Sequence, residues 1–272
     1  YMLEDYQIVN GCQTSNVLFA NKDLMTENLF VPIKLIHTVS DDVAQSIIKS
    51  TNKQTNVEEN DLLALTQFQR DLEDFYQGVT GDTKLFYERR AKQYASDEAV
   101  EKSRIVTIGN QLKCYASMFL DSPNQASRYQ GTLLKTVKER VFQPSHKPES
   151  YFLAALTGYR FEMALRKFST EERDIRPFKY FLLYAFRLRF ENEEFPGANN
   201  RKIGTYSSFL IKYLTDTAEA KQALDESVLI VRQALNATGL PVVRDSAKSR
   251  PLVDAVKRIA IERRAAALSA TS

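Results

Sequence analysis

The chain's 272 residues are enough for one large domain or two modest ones, and 43% hydrophobic with 26% charged residues is the make-up of an ordinary globular protein. Nine Gly and eight Pro are few for this length and argue against a turn-rich β architecture. No apolar run reaches membrane-spanning length, and two widely separated cysteines, Cys12 and Cys114, make no disulfide framework. The net charge of +3 is unevenly spread. Residues 1–127 carry 12 Lys/Arg against 18 Asp/Glu, residues 128–189 carry 13 against 6, and the remainder carries 12 against 10. A basic middle beside an acidic front is what a polyanion-binding part would require. We expect a cytoplasmic protein without membrane attachment. Because the chain starts at Tyr1 in mid-motif, we also expect a truncated N-terminus.

In chain order, Ile8-Val9 reads as a short strand, broken by Asn10-Gly11 and followed by a helix from Cys12 with Val17, Leu18 and Ala20 facing inward. The run LFVPIKLIHTV over 29–39 is apolar and β-branched, the pattern of a buried strand. Ser40 then caps a helix with acids in its first turn and Val43, Ile47 and Ile48 at helical spacing. These pieces predict strand–helix–strand–helix. Next comes an amphipathic helix carrying Leu62, Leu63, Leu65, Phe68, Leu72, Phe75 and Tyr76, ended by Gly78. TKLFYERRAKQY is ambiguous between strand and helix. From Ile105 onward helices dominate, with loops at 122–125, 144–148, 195–200 and 238–242. The predicted fold class is α+β, predominantly helical: a small α/β unit over 1–100 and an all-α domain over 101–272.

The order IVNGCQTSNVLFA, VPIKLI and DDVAQSIIKSTNKQTNVEENDLLAL resembles ParB-like domains, matching at Gly11, Pro32, Asn52, Gln54 and Leu62. The phosphate-gripping arginines of that family are replaced by Gln13 and Thr14, and the Arg after Asn-x-Gln by Thr55. The resemblance therefore implies the geometry of two polar turns more than it implies hydrolysis. IVNGCQTS, STNKQTNV with DLLALTQFQ behind it, and FYERRAKQY also resemble the abortive-infection phage-resistance (AIPR) family, all three in that family's order. That resemblance implies a part in bacterial defence against phage, without a settled chemistry.

The candidate phosphate site combines Asn10, Gly11, Gln13, Thr14 and Ser15 with Asn52, Gln54, Arg89 and Arg90. Gly11 permits a positive φ and close ligand approach, and the helix after it offers unpaired N–H groups at the positive end of its dipole. The amides of Asn52 and Gln54 donate and accept, and the two arginines supply forked cations. A turn, a helix cap and a C-cap account for the same residues without any ligand.

Elsewhere, Arg140 and His146 have the spacing of an RNA-cleaving Arg–His pair inside the basic segment, although Val141 departs from the polar residue usual there. Arg173, Arg176, Lys179, Arg187 and Arg189 interleave with aromatics as in single-strand binders. Phe181, Leu182, Tyr184, Ala185 and Leu188 in the same run read as core. The Asp82-x-Lys84 pair lacks the preceding acidic strand of a nuclease, and His37, His146, Cys12 and Cys114 lack metal-ligand spacing. The residues specify no cofactor; a nucleotide with Mg is what the ParB resemblance would imply. The expected function is binding of a nucleotide or nucleic-acid phosphate in phage defence, with other defence proteins as partners. The alternatives are a ribonuclease or nucleotidase and an interaction scaffold.

Overall fold

The computed structural model describes residues 12–26, 28–38, Val43, 63–128, 130–190 and 195–269. The chain forms two compact units, Tyr1–Leu62 and Leu63–Ser272. The division falls well before the boundary near residue 100 that the sequence suggests. The amphipathic helix and the FYERR strand join the helical core instead of closing off a front domain.

In the first unit, helix α1 (Cys12–Ala20) is followed by a single 3-10 turn, Lys22–Leu24. Val17 and Phe19 on α1 are exposed, so the inward face read from the sequence is not formed as such. Residues 28–38 carry no regular structure, and Phe30 and Ile33 are more than four-fifths exposed. This corrects the reading of the run as a buried strand. A strand needs a hydrogen-bonding neighbour, and Pro32 removes one donor from the run itself; no described residue of this unit pairs with it. Ile8-Val9 and the helix after Ser40, apart from Val43, lie outside the described residues.

The second unit opens with α2 (Gln67–Gly78), whose Phe68, Leu72 and Tyr76 recur at helical spacing and are buried. TKLFYERR resolves as a strand: β1 (Phe86–Glu88) pairs in parallel with β2 (Ile105–Thr107), Phe86 opposite Ile105. Thr107 ends β2 and caps the next helix, its Oγ1 accepting the Asn110 N–H at 3.2 Å.

Then follow α3 (Ile108–Phe119), α4 (Pro123–Ala126), α5 (Gln130–Val137), α6 (Pro148–Arg166), α7 (Lys179–Leu188), α8 (Ile203–Thr215), α9 (Thr217–Thr238) and α10 (Arg250–Ser269). All but α4 agree with the helical periods read from Ile105 onward; α4 falls on the expected loop at 122–125, where Pro123 opens a single helical turn. Asp216 caps α9 through two backbone N–H bonds, at 2.7 and 3.1 Å, and Gly239 ends it at φ +65°.

Helix α7 runs through the centre, with Phe181, Leu182, Tyr184, Ala185 and Leu188 at zero exposure. It packs on α3, α6, α9 and α10. A helix apolar on all sides is stable only when enclosed in this way. One contiguous core extends from Ala64 to Ala260. No described helix is long and apolar enough to cross a membrane.

Candidate functional site

The FYERRAKQY segment locks onto α2. Arg89 donates through Nε to Glu73 Oε2 at 2.6 Å and through Nη1 to the Ala64 carbonyl at 2.8 Å. Gln93 Nε2 reaches the other Glu73 oxygen at 2.5 Å. Burial raises the Glu73 carboxyl, but the bonds from Arg89 and Gln93 and the charges of Arg89 and Arg90 outweigh it and hold the group below its ordinary value. Tyr87 donates to Gln69, and Tyr76 to Gln111 at 2.6 Å, whose amide continues to the Tyr151 carbonyl at 2.8 Å.

Arg89 therefore does not face an anionic guest, as its place in the motif suggests. Its side chain is 9% exposed and committed to Glu73, because α2 places a carboxylate 16 residues upstream against it. Arg90 is exposed, and Gln93 Oε1 accepts its backbone N–H at 3.1 Å. Thr14 and Ser15 lie on α1 and are exposed. Asn10, Gly11, Asn52 and Gln54, and the side chain of Gln13, lie outside the described residues.

The Arg140–His146 pair falls at a corner before α6. His146 Nδ1 lies 2.9 Å from Tyr151 Oη, which also accepts the Phe142 N–H at 2.7 Å. Tyr151 stacks on Tyr115 at 3.9 Å. Phe142 has φ +52°, a conformation that a bulky residue adopts only when its surroundings impose it. Burial lowers the His146 pKa, so the neutral ring is favoured, and one nitrogen holds this corner closed. Arg140 is exposed.

The five residues read as a nucleic-acid rim do not share one face. Arg176 and Lys179 lie 4.0 and 3.8 Å from Glu162, Arg187 pairs with Asp121 at 3.7 Å, and Arg189 pairs with Glu226. Arg173 Nε bonds the Phe168 carbonyl at 3.1 Å. Helical rotation accounts for the split. Residues 176 and 179 are neighbours on one side of the chain, while 187 and 189 come two turns later beside other helices.

A basic concavity lies elsewhere. Lys113 on α3, Ser127 and Arg128 after α4, Thr132 on α5, and Arg244 and Lys248 on a 3-10 turn line an open groove of about 890 Å³. Its one acid, Asp245, is bonded to Lys248 at 2.7 Å. Arg128 Nη2 holds the Lys248 carbonyl at 3.3 Å and so ties the two walls together.

Burial, and after it the charge of Lys179, lower the Lys113 pKa. Lys113 Nζ sits 6.0 Å and Lys179 Nζ 5.1 Å from the Tyr180 ring. Tyr180, a core side chain 9% exposed, lines not the groove but a second cavity of about 250 Å³, walled by Tyr159, Arg166, Lys179 and Lys102 over a floor of Gly158 and Cys114. A methyl group at Gly158 would come within 2.8 Å of Cys114 Sγ, so the glycine keeps this floor open. Burial pushes the Cys114 thiol up to about 12, which keeps it protonated and removes it as a nucleophile.

Of the groove residues, none of Lys113, Arg128, Arg244 and Lys248 stands out in the sequence. They come from positions up to 135 residues apart, and only Arg128 belongs to the basic segment. Lys179 is the one residue of the expected rim that borders the adjoining cavity.

A family model described as AIPR protein matches residues 1–238. No curated protein and no solved structure shows a significant match.

Proposed function

The chain belongs to the AIPR family and so to abortive-infection phage defence; within that role, we propose that it grips the phosphates of a single-stranded nucleic acid along the groove of Lys113, Arg128, Arg244 and Lys248. The observation that carries this reading is the charge of the groove: four cations and two hydroxyls line one open concavity whose single acid is already neutralised by Lys248. A tracked backbone needs spaced cations, and sequence-tolerant binders add an aromatic platform for the bases. Tyr159, half-buried in the wall of the second cavity with Lys179, is the ring offered for this platform.

In this reading the turn of Asn10, Gly11, Gln13, Thr14 and Ser15 and the turn of Asn52 and Gln54 are additional phosphate contacts of the first unit. The protein works in the cytoplasm, where invading nucleic acid is found.

The experiment is fluorescence anisotropy with a labelled single-stranded oligonucleotide. The wild type binds, and the quadruple variant Lys113→Ala/Arg128→Ala/Arg244→Ala/Lys248→Ala weakens binding about a hundredfold or more at low salt, on the order of 0.7 kcal/mol for each cation removed. Arg201→Ala, a change in an exposed cation outside the groove, leaves binding intact. Equal affinity of wild type and quadruple variant sinks the reading.

A further inference from the structure

The cavity of about 250 Å³ lies between α3, α6, α7 and the strand β2, and its depth and its mouth differ in character. Ala155, Phe161 and Leu183 are buried and line its inner part. Glu162 and Arg166 from α6 and Lys179 from α7, each with a side chain at least one-third exposed, line its mouth.

Two polar groups here have attraction or burial without a hydrogen bond. Glu162 draws Arg166 at 3.7 Å, Lys179 at 3.8 Å and Arg176 at 4.0 Å, all beyond hydrogen-bond distance. The charge of the carboxylate is balanced, yet no described residue donates a hydrogen bond to either of its oxygens. Tyr180 is 9% exposed, and its hydroxyl makes no hydrogen bond to a described residue. A buried tyrosine hydroxyl ordinarily has a partner, so the space it lines is suited to a ligand that carries polar atoms.

We infer that this cavity receives a guanine base. An ionised carboxylate only accepts, and its two oxygens suit a pair of parallel donors. Among the bases, guanine alone has two adjacent donors on its pairing edge, N1–H and the N2 amino group, with the O6 acceptor beside them. Glu162 takes the donors, and Lys179, 3.8 Å from it, takes O6. Uracil and thymine set carbonyl oxygens on both sides of one N–H, which a carboxylate repels. Adenine and cytosine offer one amino group beside a ring nitrogen that accepts. The buried inner surface covers the ring, and the Tyr180 hydroxyl meets one further polar atom of the base. Pockets for drug-sized molecules begin at about 300 Å³, so a cavity of about 250 Å³ takes one base and leaves sugar and phosphate outside. The inference rests on the platform role given to this cavity above and names the base; a strand and a free guanine nucleotide present the same edge.

The test is calorimetric titration of the full chain with guanosine monophosphate and with inosine monophosphate at constant ionic strength. The two differ only in the N2 amino group, so the phosphate contributes equally. Inosine monophosphate is expected to bind about tenfold more weakly. Glu162→Gln, an isosteric change at a partly exposed side chain, removes the difference. Lys179→Ala weakens both nucleotides alike, because both carry O6. Arg128→Ala/Arg244→Ala leaves the ratio unchanged, so failure of the groove and failure of this site are told apart. A second arm repeats the comparison by anisotropy with oligothymidylate carrying one guanosine or one inosine. A preference in this arm alone assigns the site to strands, and in the first arm alone to free nucleotides. Equal binding in both arms, or a preference that Glu162→Gln retains, overturns the proposal.

Discussion

Arg89 and Glu73 illustrate what a single residue can and cannot announce. Two adjacent arginines in a motif read naturally as a phosphate fork. The structure gives the first of them a carboxylate at 2.6 Å and a carbonyl at 2.8 Å, and both members of the ion pair are nearly enclosed. Removing one member of a buried pair strands the other. Arg89→Ala is therefore expected to cost about 3 kcal/mol, read as a lower urea midpoint at unchanged slope.

The same pair gives a pH dependence. The folded-state pKa of Glu73 lies below its ordinary value of 4.5, so the folded chain binds fewer protons there than the unfolded chain. The stabilisation is complete above about pH 4.5 and is lost as pH falls through the depressed folded value. Glu73→Gln should flatten that part of the acid-unfolding curve, and an unaltered curve would remove Glu73 from the account. The sequence shows both residues but not that they touch, because nothing in a helical or strand period links positions 16 apart on different elements.

Among the elements, α7 is the most legible. Its apolar residues occupy every side of the helix, a pattern compatible only with enclosure, and the structure buries it. The run at 29–38 is the least legible. Its β-branched residues satisfy a strand pattern, yet strand formation depends on a neighbour that the run itself cannot specify, and Pro32 sits within it.

Helix α6 offers a sharper test of packing. A Cβ at Gly158 meets Cys114 Sγ at 2.8 Å where α3 and α6 pack together. Gly158→Ala alone should destabilise by about 1–3 kcal/mol through overpacking. With Cys114→Ala the sulfur is gone, and the same change should become stabilising by about 0.5–1 kcal/mol through helix propensity. The sign change in a double-mutant cycle, followed by thermal denaturation, measures the coupling directly. Additive effects would show that the two side chains do not touch.

For the molecule as a whole, the sequence placed the helices and pointed to the family, but the cations it suggested for the second unit are ones the fold separates. Net charge by segment pointed to 128–189. The groove draws its cations from α3, from Arg128 and from the turn after α9, so only the tertiary fold assembles it. Charge that is diluted along the chain is concentrated by topology, and periodicity carries no record of it. The central claim is that the groove binds by neutralising phosphates. The measurement that tests it most directly is the salt dependence of single-strand binding. With Lys248 paired to Asp245, the three remaining groove cations predict a slope of log affinity against log salt of about −2.1, falling to about −1.4 when Arg244 is replaced by Ala. A wild-type slope near zero, or a slope that Arg244→Ala leaves unchanged, would contradict it.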